Sequence, residues 1–178
     1  MKAVFHSPAL IVLGTKGTTE EREKLLHLAR LLSNRIWATA NSFTPVVKDS
    51  ELTLEMKKKY NLILLGNGTR NRHAITLPLK ELWQRKGAAI VTVRPSPWKK
   101  DGLLLAVAGS SAEAELQTAE FLPMVERQNS AHLDFLITTP EVKKLAWGGL
   151  AAAGFYSNQW DLTNHDYVEG DLSLHLKH

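Results

Sequence analysis

Pro8-Ala9-Leu10-Ile11-Val12-Leu13-Gly14 decides the fold. A strand with one wet face alternates apolar and polar side chains. An unbroken apolar run buries both faces, as strands do inside a parallel sheet. The same form recurs at Asn61-Leu62-Ile63-Leu64-Leu65-Gly66 and at Leu103-Leu104-Leu105-Ala106-Val107-Ala108-Gly109. Each run ends in glycine, where the chain can leave the strand sharply.

The intervals between the runs carry helical patterns. Thr18 or Thr19 caps a helix extending to about Asn41, with Glu20, Glu21 and Glu23 at its positive end. Leu25, Leu28, Ala29, Leu32 and Ile36 share one face of it. Phe43–Val47 reads as a second, short strand, placed at an edge by Pro45. Leu52–Tyr60 reads as a short charged helix, and His73–Trp83 as another that Pro78 interrupts or restarts. Ala88–Val93 is a strand. The turn signals from Pro95 to Gly102 leave no room for a helical crossover, so this strand and Leu103–Gly109 pair as an antiparallel hairpin. Ser110 and Ser111 cap a helix whose buried stripe is Ala112, Leu116, Ala119, Leu122 and Val125. Asp134–Thr138 closes the series. The expected order is 2-1-3, then the hairpin and the last strand. Residues 1–160 make one domain, and the polar stretch 161–178 is expected to be weakly ordered.

The chain has 178 residues, 44% hydrophobic and 22% charged, the ordinary range for a globular domain. It has no cysteine, which removes disulfides and thiolate chemistry. No stretch approaches the ~20 apolar residues that span a bilayer, so no membrane role is expected. The first residues are too short for a signal peptide, and the compartment stays open. The net charge is +4. The basic residues fall in small separate groups, Lys57-Lys58-Lys59, Arg85-Lys86, Lys99-Lys100 and Lys143-Lys144. They read as solvated surface charge, which disfavours nucleic acid as a partner.

Ligands of parallel sheets bind beyond the strand C-termini, where strand order reverses. Here that point lies between the loops after Leu13 and Leu65. The candidate ligand residues are therefore Gly14, Thr15 and Lys16 on one loop and Gly66, Asn67, Arg70 and Asn71 on the other, with Arg72 adding charge. Backbone amides at a helix start could take an anion or nucleotide there. The glycines match neither a phosphate-binding P-loop nor a dinucleotide fingerprint, so they also serve simply to turn the chain. Gly109-Ser110-Ser111 lacks the second glycine of a nucleophile elbow and reads as a helix cap. The histidines are scattered without metal-ligand spacing. Asn67-Gly68-Thr69 is a glycosylation sequon that matters only in a secreted eukaryotic protein. Trp147, Phe155, Tyr156 and Trp160 flank a small-residue stretch and form a candidate interface. No catalytic set, metal site or motif calling for a cofactor is legible; flavin enters by fold analogy alone.

Four features occur in order: Gly14-Thr15 after a strand, Gly66-Asn67 with Asn71 soon after, Pro95-Ser96-Pro97-Trp98 feeding Leu103–Gly109, and Ala151-Ala152-Ala153-Gly154-Phe155-Tyr156 before Trp160. Together they resemble a flavodoxin-like accessory domain found C-terminal to secreted α/β-hydrolase-type peptidase or esterase modules. A looser likeness runs to the flavodoxin-like domains of the periplasmic subunit of cellulose synthase. The resemblance covers about residues 8 to 160. It implies a three-layer α/β fold with a mostly parallel sheet and one antiparallel hairpin. It also implies a non-catalytic accessory or interaction role, with a hydrolase module or a second copy as partner, and secretion. The alternative is a small-molecule or nucleotide/anion-binding domain, with or without enzymatic activity, using the loops after the first and third strands.

Overall fold

The computed structural model describes residues 2–120, 133–163 and 167–170. Strands β1 (Ala9–Leu13), β2 (Val46–Lys48), β3 (Asn61–Leu65), β4 (Ala89–Pro95), β5 (Leu103–Gly109), β6 (Phe135–Thr138), β7 (Leu150–Gly154) and β8 (Tyr167–Glu169) form one sheet. Their order is β2-β1-β3-β5-β4-β6-β7-β8. The helices among the described residues are α1 (Thr19–Ala40), α2 (Leu54–Lys59), α3 (Lys80–Trp83), α4 (Ala112–Glu120) and α5 (Val142–Leu145). The protein is an α/β domain with a mixed sheet.

The three apolar runs lie side by side. β1 pairs with β3 from Ala9↔Asn61 to Leu13↔Leu65, and β3 pairs with β5, both parallel. Short β2 completes the parallel part at an edge. The hairpin of β4 and β5 forms as its turn demands, from Ala89↔Gly109 to Pro95↔Leu103. Beyond it the sheet departs from expectation. β6, β7 and β8 each add antiparallel, so antiparallel pairing is not confined to one hairpin. β6 is reached from β5 by a link that carries α4, and it pairs antiparallel because its neighbour is the reversed strand β4; β7 and β8 then each turn back beside the strand before.

Alternate residues of the runs build two cores. Ile11, Ile63, Leu65, Leu105 and Val107 pack under Leu25, Leu28 and Leu32 of α1 and Ala112 and Ala119 of α4. Leu10, Val12, Leu62, Leu64 and Leu104 face Leu52, Leu77, Trp83 and Tyr156 on the other side. The stripe read from α1 is fully buried. Leu122 and Val125 lie outside the described residues.

Local chemistry sets the helix ends. Thr18 accepts from the Glu21 amide while Glu21 accepts from the Thr18 amide, a reciprocal capping box. Asn41 closes α1 in the left-handed region, as a short polar side chain permits. The expected helix over His73–Trp83 shrinks to the single turn of α3. Pro78 and the left-handed Leu79 restart the chain, and the Trp83 indole N–H donates to the Pro78 carbonyl. The stretch expected to be weakly ordered contains β8, which pairs with β7 from Ala152↔Glu169 to Gly154↔Tyr167. Backbone pairing there needs little apolar patterning, so the polar sequence hid it.

The centre and the edge should respond differently to truncation. Ile63→Ala, at a fully buried site of central β3, is expected to cost about 2–5 kcal/mol. Val168→Ala, on exposed β8, should stay within about 0.5 kcal/mol. Urea melts of both variants check the contrast.

Candidate functional site

Gly14 ends β1 and sits against the second loop. A Cβ there would lie 2.6 Å from the Arg70 carbonyl oxygen, so only glycine permits the approach. Gly66 ends β3 with φ +101°, a conformation that also favours glycine. The loops then bind each other. Lys16 N–H donates to the Arg70 carbonyl at 2.9 Å, and Lys16 Nζ donates to the Gly68 carbonyl at 2.9 Å. The structure brings the seven predicted loop residues together at the C-terminal ends of β1 and β3.

Arg70 and Asn71 are buried. Arg70 is 3% exposed and Glu115, on α4, is 0% exposed. Arg70 Nη2 donates to Glu115 Oε1 at 2.7 Å and to the Gly109 carbonyl at 2.6 Å. Arg70 Nη1 donates to Glu21 Oε1 at 3.2 Å. Glu115 Oε1 also accepts the Gly109 amide at 2.8 Å, and Asn67 Nδ2 donates to the Gly109 carbonyl at 2.9 Å. One guanidinium thus joins the β3 loop, the end of β5, α1 and α4. The sequence reading offered Arg70 as a ligand cation; the structure gives its charge to two carboxylates of the chain.

Asn71 is equally committed. Its Nδ2 donates to the carbonyls of Leu65 at 2.9 Å and Val12 at 3.2 Å, and its Oδ1 accepts the His73 amide. Thr15 donates its hydroxyl to Asp49, a buried carboxylate just after β2. Asp49 Oδ2 accepts the Arg72 amide at 2.8 Å, while His73 Nε2 meets the Asp49 backbone oxygen rather than its carboxylate. Thr15, Asp49 and His73 therefore do not form a proton relay. Among the described residues no three His, Asp or Glu side chains converge on a metal position.

Glu115 and Asp49 escaped the sequence reading. Glu115 stands three residues after Ala112 and four before Ala119, on the apolar stripe of its helix. A carboxylate on such a stripe is the signal that marks it. Burial raises its pKa to about 7, against the lowering effects of Arg70 and the Gly109 and Asn67 amides. Glu21 goes the other way: the Thr18 amide, and then the Arg70 charge, hold its carboxyl below the ordinary range.

The space left is small. A cavity of about 30 Å³ lies between Leu64, Ala106, Ala108, Ile75 and Trp83, on the face away from α1. That is room for a water molecule, not a nucleotide. A wider, open groove of about 350 Å³ runs beside β2, with Leu13 and Leu26 in its wall and Thr15, Thr19, Arg22 and Lys48 around it.

The proposed aromatic interface divides. Tyr156 is buried, its ring 5.3 Å from Phe135 and its hydroxyl bonded to Thr92. Trp160 packs against Tyr156, and its carbonyl accepts from Arg94. Both close the core. Trp147 and Phe155 are exposed, one on either side of β7 in sequence. Ser110, set aside as a nucleophile, accepts the Gly87 amide, and Ser111 caps α4.

No protein-family model matches the chain, and no curated protein matches it significantly. No helix of the described residues is long and apolar enough to cross a membrane.

The sign of the Glu115 effect is fixed. Unfolded, its carboxyl ionises near the ordinary 4.5; folded, near 7. The folded state therefore holds the proton more tightly, and this group's contribution is fullest below about pH 4.5 and lost as pH rises to about 7. Urea melts from pH 4 to 8 should show that loss in the native chain. The difference should vanish in Glu115→Gln; an identical pH slope in the two proteins would contradict it.

Proposed function

We propose that this chain is a non-catalytic accessory domain of flavodoxin-like, three-layer design whose work is to dock a partner. The observation that carries the reading is the filled switch point. Where such a sheet would open to a ligand, Arg70 is held by Glu115 and Glu21, Asn71 is bonded to the Val12 and Leu65 carbonyls, and a cavity of about 30 Å³ lies beside them. Binding a phosphate group there would require Arg70 to leave Glu115, stranding a buried carboxylate. The sequence resemblance to accessory domains beside secreted hydrolase modules supports the same reading, and makes such a module the partner, with a second copy of the chain as the other.

A second reading, small-molecule binding, draws on the groove beside β2. Its volume suits a small ligand, and Arg22 and Lys48 place positive charge and Glu23 negative charge at its rim.

Thermal unfolding with flavin mononucleotide, ATP and inorganic phosphate separates the two. A ligand at a hundred times its dissociation constant stabilises by about 2.7 kcal/mol, worth several degrees in a chain of this length. The docking reading predicts no saturable rise in Tm with any of the three. A rise abolished by Lys16→Ala would place a ligand at the switch point and overturn it; one abolished by Lys48→Ala would establish the groove.

A further inference from the structure

Two lysine groups that are far apart in sequence meet at the end of the sheet opposite the switch point. Lys57, Lys58 and Lys59 finish α2, and Lys99 and Lys100 lie on the tip of the β4–β5 hairpin. Asn61, the first residue of β3, is the joint. Its Oδ1 accepts from Lys99 Nζ at 3.3 Å and from the Leu103 amide at 3.2 Å, and its Nδ2 donates to the Val4 carbonyl at 2.8 Å. Lys57 Nζ stands 4.9 Å from the centre of the Trp98 ring, and Lys59 Nζ 5.3 Å from that of Tyr60. Lys58, Lys59 and Lys100 are exposed.

Little opposes this charge. None of the five lysines is in an ion pair among the described residues. Glu55 and Asp101 are the nearby carboxylates in sequence, and both are exposed. Asp161 and Asp134 are turned to their own loops, through Ser157 and Thr163 and through the Tyr156 amide. Arg94 is taken by Trp160 and the Tyr156 ring. Lys57 over Trp98 and Lys99 on Asn61 bring the two groups together, and five lysines against Glu55 and Asp101 leave a net positive field that steers anionic partners.

We propose that this lysine platform docks an acidic protein surface, one rich in Asp and Glu. The proposal rests on the docking reading above and gives the chemistry of the partner. Other polyanions fit less well. The platform contains no arginine, the residue that grips phosphate with a paired geometry. Trp98 and Tyr60 are half-buried and each carries a lysine over its ring, so their faces are not free to stack bases. The same burial keeps Trp98 from entering a lipid surface.

The test uses fluorescein-labelled poly-L-glutamate and the full chain, read by fluorescence anisotropy at low salt. Lys58→Glu/Lys59→Glu/Lys100→Glu is compared with Lys80→Glu/Lys143→Glu/Lys144→Glu, which changes net charge equally at exposed positions elsewhere. The platform variant should bind about tenfold or more weakly, and the control within about twofold of the native chain. Equal loss in both variants would reduce the effect to net charge and overturn the proposal. Tighter binding of an oligothymidine or of phosphatidylserine vesicles than of poly-L-glutamate would overturn it as well. Lys16→Ala should leave the binding unchanged, so a ligand found at the switch point and a failure of the platform are separate results.

Discussion

The Arg70–Glu115 pair is the constraint on which the rest depends. Taking two charges out of water is expensive, and their attraction repays it only where geometry and further hydrogen bonds are good. Here Arg70 also reaches the Gly109 carbonyl and Glu21, while Glu115 also takes the Gly109 amide. Arg70 Nε and Glu115 Oε2 remain buried without a hydrogen-bond partner. The pair is therefore a costly arrangement whose value lies in location. It pins the loops after β1 and β3 to the start of α4, and so fills the point between β1 and β3 where the strand order reverses. A hydrophobic pair of the same volume could hold the helices together, but it could not also engage the Gly109 backbone and the cap of α1.

Closure at one end moves attention to the other. The strands that bury both faces leave little side-chain freedom in the centre, so recognition falls to the loops and helix ends. Between β1 and β3 at the C-terminal end, Arg70, Glu115 and Asn71 are spent within the chain. At the N-terminal end Asn61 holds Lys99 and the Trp98 ring holds Lys57, while Lys58, Lys59 and Lys100 stay exposed. A docking domain needs a rigid sheet and charged groups left at its surface, and that division of polar groups is the physical basis of the functional reading.

Much of the frame was legible because it follows from local rules. β3 coincides with the apolar run from Asn61 to Leu65, and the Thr18 cap and Glu21 were readable as a helix start. The hairpin followed from a turn too short for a crossover. What escaped has a common cause. Glu115 joins residues distant in sequence, and periodicity reports only that a charged residue sits on an apolar stripe. The loop between Gly66 and Pro78 is held by Asn71 side-chain bonds to two strands, which look like helix signals in a window. Leu150–Gly154 is a strand of small residues with weak intrinsic preference, placed by β6 rather than by its own pattern. Lysine groups that read as scattered are neighbours only once α2 and the hairpin are folded.

A double-mutant cycle on Arg70→Met and Glu115→Leu, read by urea unfolding at pH 8, addresses the central claim most directly. If the pair fixes the closed switch point, each single variant strands a buried charge, and the double variant recovers much of the loss. The account predicts a coupling of about 2 kcal/mol or more. A coupling below about 0.5 kcal/mol would mean that the two charges act independently, and would contradict it.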